Sequence, residues 1–272
     1  MIRLHFYPST AAMVPHILLE ELGVPYERVL VDRANDVHKS PEYLALNPNG
    51  LIPVLVDGDL VLYETAAICL HLADAHPQAG LMPALGSPER AHAYKWLMWL
   101  TNTLQATLIV YFYPHRWVEE GSAAQNEVRA MAKRRVGELL DQLDAELARH
   151  GGPWFMGDAY SALDPYVFTL CRWTRHFAST PARSKRQLGP YLERMLDDPS
   201  SGLDHPGRQH EHALPLAIAL RAEDHQRQRA HRDRQDAVAS AVQARKQPGC
   251  HRAEGHEAHH PQRVGRRRQP GG

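Results

Sequence analysis

The chain has 272 residues, 43% of them hydrophobic, with 31 basic and 31 acidic side chains and a formal net charge of zero. That length holds two modest domains, no apolar run approaches the ~20 residues of a membrane span, and Cys69, Cys171 and Cys250 keep no metal-ligand spacing. The balance conceals an asymmetry: from residue 201 onward there are 12 Arg, 1 Lys and 8 acids, a net charge of +5, so residues 1–200 carry −5.

The N-terminus enters a strand pattern directly, and a cytoplasmic protein is expected. Ile2 to Tyr7 reads as a strand and Pro8-Ser9-Thr10 as a loop. Ala12 to Leu22 reads as a helix with Met13, Val14, Ile17, Leu18 and Leu22 on one side. Pro15 falls in its first turn, where a missing N–H does little harm. Gly23 and Pro25 end that helix, and Tyr26 to Val31 makes a second strand, followed by a short helix around Pro41 to Leu46.

The stretch Asn47 to Thr65, NPNGLIPVLVDGDLVLYET, is the densest in signals. Asn-Pro-Asn-Gly is a turn. Ile52 to Val56 is a strand with Pro53 at its head, Asp57-Gly58-Asp59 is a hairpin turn, and Leu60 to Tyr63 is the returning strand. A cis Ile52–Pro53 bond turns the N–H and C=O of Ile52 outward, free to pair with an extended peptide. Glu64 and Thr65 bring a carboxylate, a hydroxyl and the bare N–H groups of a helix start to the same edge. That edge suits a ligand with an ammonium and a carboxylate at one end and a peptide backbone behind it. The helix so begun runs to about His76, and the order β-α-β-α-β-β-α is that of a thioredoxin-like domain.

Pro77 to Ser87 reads as a linker and Ser87-Pro88-Glu89 as a helix start. Ala93, Trp96, Leu97, Leu100, Leu104, Leu108 and Tyr111 then keep helical spacing over about five turns. A second long helix has Val128, Met131, Val136, Leu139, Leu140, Leu143 and Leu147 on its expected buried face, and Gly151-Gly152-Pro153 stops it. Ser161-Ala162-Leu163-Asp164 has the form of a capping box before the apolar helix of Tyr166, Val167, Leu170 and Cys171. Cys69 and Cys171 are expected to be inert core, and His16 and His38 structural or solvated.

The NPNG-to-Thr65 stretch resembles the glutathione transferase family, whose pattern is a proline-gated strand, a hairpin, and an acidic residue followed by Ser or Thr at the next helix. Gly157-Asp158 with Ser161 to Asp164 resembles that family's folding signal in its helical domain, so the likeness covers both domains to about residue 197. Pro15-His16 is similar to the bacterial, beta-class-like branch. The resemblance implies an α/β thioredoxin-like glutathione-binding domain (1–76), a linker (77–87) and an all-helical domain (88–199). It implies that Ile52, gated by Pro53, pairs with the cysteinyl part of glutathione, that Glu64 takes the γ-glutamyl ammonium, and that Thr65 takes its carboxylate. Glutathione would serve as co-substrate with a small hydrophobic electrophile, in a detoxifying homodimer that uses no nucleic acid, membrane or metal.

Conjugation needs the thiolate, and lowering a thiol from about 8.5 by two units takes roughly 2.7 kcal/mol. A hydrogen bond to charged sulfur gives about 1.5–3 kcal/mol, and a helix N-terminus about 0.3–1. The beta-class-like branch places a cysteine five residues before the Pro-His histidine, which is Ala11 here. The remaining candidates are Thr10, then Ser9, then Tyr7, with backbone N–H groups alone as the alternative. Tyr111, Tyr113, His115 and Arg116, with Phe112 and Trp117, are the expected electrophile pocket: aromatic rings with polar tips. Two alternatives share the site: a binding or regulatory protein of the same fold without turnover, and a glutathione-dependent isomerase or dehalogenase.

The family-like pattern stops after Leu196. Residues 200–272 form a basic tract of Arg, His, Gln, Ala, Pro and Gly with no Phe, Trp or Tyr, read as disordered or loosely docked and as the product of a shifted reading frame or read-through. A nucleic-acid tail and a His-rich metal tract including His256, His259 and His260 are the alternatives. Leu192, Met195 and Leu196 are expected to be partly bare.

Overall fold

The computed structural model describes residues 1–197; every expectation for residues 200–272, frame shift, disorder, nucleic-acid and metal tract alike, lies outside the described residues. The chain opens with β1 (Ile2–Phe6), α1 (Met13–Leu22) and β2 (Tyr26–Leu30), then α2 (Pro41–Leu46), β3 (Val54–Asp57), β4 (Leu60–Tyr63) and α3 (Thr65–Ala75). The strands form one sheet in the order β2-β1-β3-β4. β1 runs parallel to β2, as a helical crossover requires, and antiparallel to β3, with His5 opposite Val54; β3 pairs antiparallel with β4, with Val54 opposite Tyr63. This is the expected thioredoxin-like arrangement. α1 begins one residue later than the periodicity predicts, because residues 7–12 close into turns with Thr10 N–H donating to the Tyr7 carbonyl at 3.4 Å.

α4 (Pro88–Trp99) starts on the Ser87 cap, whose Oγ accepts from Arg90 N–H at 3.0 Å. It continues through a π-helical segment (Leu100–Gln105) into α5 (Ala106–Phe112), so Leu100, Leu104 and Leu108 all reach the core. α6 (Ala123–His150), α7 (Leu163–Trp173) and α8 (Leu188–Asp197) complete the described helices. Two burial expectations are corrected. Met131 is exposed, because the buried stripe of α6 runs through Ala132, Val136, Leu139, Leu140, Leu143 and Leu147, and Met131 lies about 100° away from it. Leu192 and Met195 are buried, and only Leu196 of that trio is exposed.

One hydrophobic core serves both halves, continuous from Ile2 and Leu4 under the sheet, through α1 and α3, to Tyr166, Leu170 and Met195 in the helical half. A smaller cluster of Val31, Tyr43, Val54 and Val56 covers the other sheet face. Cys69 and Cys171 are free and wholly buried, and burial pushes both thiols up. Among the described residues no helix is long and apolar enough to cross a membrane.

Candidate active site

Strand direction gathers the site. The C-terminal end of β1, the N-terminal end of β3 and the C-terminal end of β4 lie side by side in the register, and parallel β2 ends there too. The loop 7–12, the segment after Leu30, the Ile52-Pro53 step and the Glu64-Thr65 step therefore meet at one end of the sheet.

At that end Ile52–Pro53 is cis. The Leu51 carbonyl accepts from the Tyr43 hydroxyl at 2.8 Å and from Asn47 Nδ2 at 2.9 Å, which anchors the turn from behind. The N–H and C=O of Ile52 have no backbone partner among the described residues. Gly50 must be glycine: its φ is +60°, and a Cβ there would lie 2.9 Å from the His38 carbonyl. This close approach brings the 3-10 turn Val37–Lys39 against the Asn47–Gly50 turn. Burial and the Arg33 charge hold His38 below its ordinary pKa, and its Nδ1 is buried without a partner.

Glu64 stands at φ 72°, ψ 111°, a region that side-chain-bearing residues avoid. Its carboxylate is exposed and makes no hydrogen bond or ion pair with the described residues. Thr65 opens α3 and is buried. The first intrahelical bond is Ile68 N–H to the Glu64 carbonyl at 3.0 Å, so the N–H groups of Thr65, Ala66 and Ala67 face outward unpaired by the helix.

In the loop after β1, the Thr10 hydroxyl donates to the Tyr7 carbonyl at 2.7 Å and accepts from Ala12 N–H at 3.3 Å. The Ser9 hydroxyl is buried with no partner, on a residue with φ 57°. Arg33 lies over the Tyr7 ring at 5.8 Å. His16 is buried behind the loop, with Nε2 3.7 Å from Glu20 and its ring between Phe6 and Tyr26, which fits a structural role.

The aromatic group at the end of α5 divides. Tyr111 packs on Phe177 with ring centroids 4.5 Å apart, and its carbonyl accepts from Arg129 Nε at 3.4 Å. Tyr113 instead carries the Arg116 guanidinium at 4.5 Å and the edge of His115 at 6.1 Å. No described hydrogen bond, ion pair or ring contact ties these four to the sheet-end segments.

A family description, "Glutathione S-transferase, N-terminal domain", matches residues 8–75. Over 196 residues the chain is 31% identical to glutathione S-transferase GST-4.5 of Xanthomonas campestris, covering 72% of this chain and 93% of the relative. The chain belongs to the glutathione S-transferase family. Among solved structures it is similar to a Sulfitobacter glutathione transferase homologue with bound glutathione: TM-score 0.67, 27% identity, covering 74% of this chain and 95% of the other. It is also similar to a beta-class glutathione S-transferase of Sphingomonas chungbukensis: TM-score 0.63, 28% identity, covering 81% and 98%. The beta-class likeness read from Pro15-His16 stands, with Ala11 in the thiol position.

Reading the sequence alone did not single out Arg33, which lies over the Tyr7 ring, or the polar contacts of Tyr166 in α7. Tyr166 reads as core in an apolar helix, yet its hydroxyl is bonded to Thr101 and Gln105. The available signal was a Thr and a Gln four residues apart inside the leucine stripe of α4 and α5.

Proposed function

We propose that the protein is a glutathione transferase that binds glutathione at the sheet end and promotes attack of its thiolate on a small hydrophobic electrophile. The observation that carries this is the juxtaposition of an Ile52 backbone without a backbone partner among the described residues, an unpaired Glu64 carboxylate and the open N-terminus of α3. The Glu64 carboxylate takes the γ-glutamyl ammonium. Thr65 and the α3 N–H groups take its carboxylate. Ile52 forms the strand-like pair with the cysteinyl unit, and Arg33 supplies positive charge toward the other end of the tripeptide.

The thiol falls beside residues 7–12. Thr10 remains the first candidate because it is only half-buried, whereas the Ser9 hydroxyl is enclosed. Its proton already serves the Tyr7 carbonyl, so turning it to sulfur exchanges a neutral hydrogen bond of about 0.5–1.5 kcal/mol for a charge-assisted one of about 1.5–3. The net gain is about 1 kcal/mol, and the helix N-terminus adds about 0.3–1. The thiol pKa should therefore fall by about one unit or slightly more, not by two. Ser9 and Tyr7 rank after it. Tyr113, His115 and Arg116, with Tyr111 behind them, form the electrophile-facing wall.

Tyr94, Met98, Leu60 and Val61 are exposed apolar positions that support a homodimer. Two free thiols and no disulfide among the described residues support a reducing, cytoplasmic setting and a detoxifying role there. The test pairs retention on immobilised glutathione with turnover of chlorodinitrobenzene. Both are expected; retention without turnover of this or other electrophiles would make the protein a binder, and failure to be retained would remove the site reading.

A further inference from the structure

Tyr166 is fully buried, and a phenol without partners at such a position costs more than the phenylalanine that would fill the same space. Its hydroxyl donates to Gln105 Oε1 at 2.5 Å and, with one proton to give, accepts from Thr101 Oγ1 at 3.0 Å. Both partners belong to the π-helical segment Leu100–Gln105, where the chain passes from α4 to α5. A π turn is wider than an α turn, and such irregularities recur at functional positions. On its far side the Thr103 carbonyl accepts from Ala106 N–H and, at 2.7 Å, from the Thr107 hydroxyl. Side chains therefore hold the widened turn from both directions.

That turn decides the phase of α5. Consecutive residues of an α-helix point about 100° apart, so the extra residue taken up by the wide turn sets where every later side chain points. In this phase Leu108 is in the core, Tyr111 lies on Phe177 with ring centroids 4.5 Å apart, and Phe112 meets Trp173 edge-on at 6.2 Å. Trp173 stands seven residues beyond Tyr166, on the same stripe of α7. One stripe of α7 thus grips the long helix twice: Tyr166 at the π turn and Trp173 at the end of α5.

Resting on the reading of Tyr111, Tyr113, His115 and Arg116 as the electrophile wall, we propose that Tyr166 is a positioning residue for the electrophile. Its hydroxyl, bonded to Thr101 and Gln105, fixes the π turn, and the π turn fixes the angle at which α5 delivers that wall. Without the hydroxyl the wide turn is held from one side only. Leu108 still resists a full roll of α5, because rolling would bring it into water, so the last turn of the helix takes up the slack. The wall loses its set geometry while the sheet end that takes glutathione keeps its own.

The experiment joins steady-state kinetics on the full chain, varying glutathione and chlorodinitrobenzene in turn, to amide hydrogen exchange. Tyr166→Phe should raise KM for chlorodinitrobenzene about 3- to 10-fold, the scale of one net hydrogen bond, with KM for glutathione within about twofold. Amides of residues 101–112 should exchange about 3- to 10-fold faster, while those of α6 keep their rates. In a chain already carrying Thr101→Val and Gln105→Met the same change should add nothing, because the hydroxyl acts through those two side chains. An unchanged electrophile KM, an equal rise in both KM values, or unaltered exchange over 101–112 would overturn the proposal and leave Tyr166 a core residue. Should Tyr166→Phe not fold, Thr101→Val with Gln105→Met cuts the same two bonds from the other side and should show the same split. If the wild type turns nothing over, or Tyr113→Ala leaves the electrophile KM unchanged, the reading of the wall fails and this proposal with it. If Tyr113→Ala raises that KM and Tyr166→Phe does not, only the positioning fails.

Discussion

Glu64 carries a backbone conformation that favours glycine, and a carboxylate with no partner among the described residues. Holding a side-chain-bearing residue there costs about 1–3 kcal/mol and persists where function over-determines it. Glu64→Ala should abolish retention on glutathione while leaving the fold intact. Glu64→Gly should lose binding equally but be more stable than Glu64→Ala by about 1 kcal/mol, since glycine takes φ 72° without a Cβ conflict. Urea denaturation of the two variants measures this, and equal stabilities would mean that the conformation is not strained. Thr10→Ala should raise the apparent pKa of the bound thiol by about one unit, read from thiolate absorbance against pH, and Ser9→Ala should do less. Two small and equal effects would give the sulfur to backbone N–H groups or Tyr7. At this scale the candidate residues were legible as residue types, from an acid followed by a threonine at a helix start and a hydroxyl-bearing loop after the first strand. Their hydrogen bonds were not: nothing local says that the Thr10 proton serves the Tyr7 carbonyl while the Ser9 hydroxyl is shut in.

The capping box at the start of α7 was legible as spacing, and its structure goes further. Asp164 Oδ2 accepts from Ser161 N–H at 2.8 Å and Ser161 Oγ at 3.0 Å, while Oδ1 accepts from Phe155 N–H at 2.8 Å and the Tyr191 hydroxyl at 2.9 Å. The cap thus ties α8 and the Trp154–Gly157 turn to α7, partners that four residues of sequence cannot announce. His150 fixes the same region, with Nδ1 accepting from Gly152 N–H at 3.0 Å, and Gly152 must be bare because a Cβ would fall 2.5 Å from the Gly157 carbonyl. Burial pushes the Asp164 carboxyl up to about 6 even though all four donors favour its charge. A folded pKa above the unfolded value of about 3.9 means the native state binds this proton more tightly. The contribution is therefore full below the unfolded pKa and is lost as pH rises through 6. Relative to Asp164→Asn, which has no such titration, the wild type should gain about 1 kcal/mol of stability between pH 7 and pH 5. Parallel denaturation curves at the two pH values check it; a difference that shrinks on acidification would mean that the four donors outweigh burial.

The two-domain plan was legible in the switch from mixed strand-helix spacing to continuous helical spacing, whereas the sharing of one core was not, because an apolar stripe does not name the surface it meets. Leu4, Ile17, Leu72, Trp96, Leu104 and Tyr166 belong to the same cluster. Where α3 passes into α4, Arg90 is buried and pairs with Asp74 while donating to the Pro83 carbonyl at 3.0 Å and the Tyr94 hydroxyl at 2.9 Å. It looks like a joint, so two things could make the halves unfold together: this clamp or the common core. Asp74 is half-exposed and regains water when Arg90 is removed, which limits the loss in Arg90→Ala to about 2 kcal/mol, mostly from the stranded carbonyl and hydroxyl. The core is far larger, since each fully buried Leu contributes about 1.5–3 kcal/mol. All five tryptophans, Trp96, Trp99, Trp117, Trp154 and Trp173, lie after Pro88, so their fluorescence follows the helical half alone, whereas far-UV circular dichroism follows both. In the wild type the two signals should change at the same urea concentration. In Arg90→Ala both midpoints should fall together and still coincide. If the fluorescence and dichroism transitions separate in that variant, the Arg90 joint, and not the shared core, is what couples the halves.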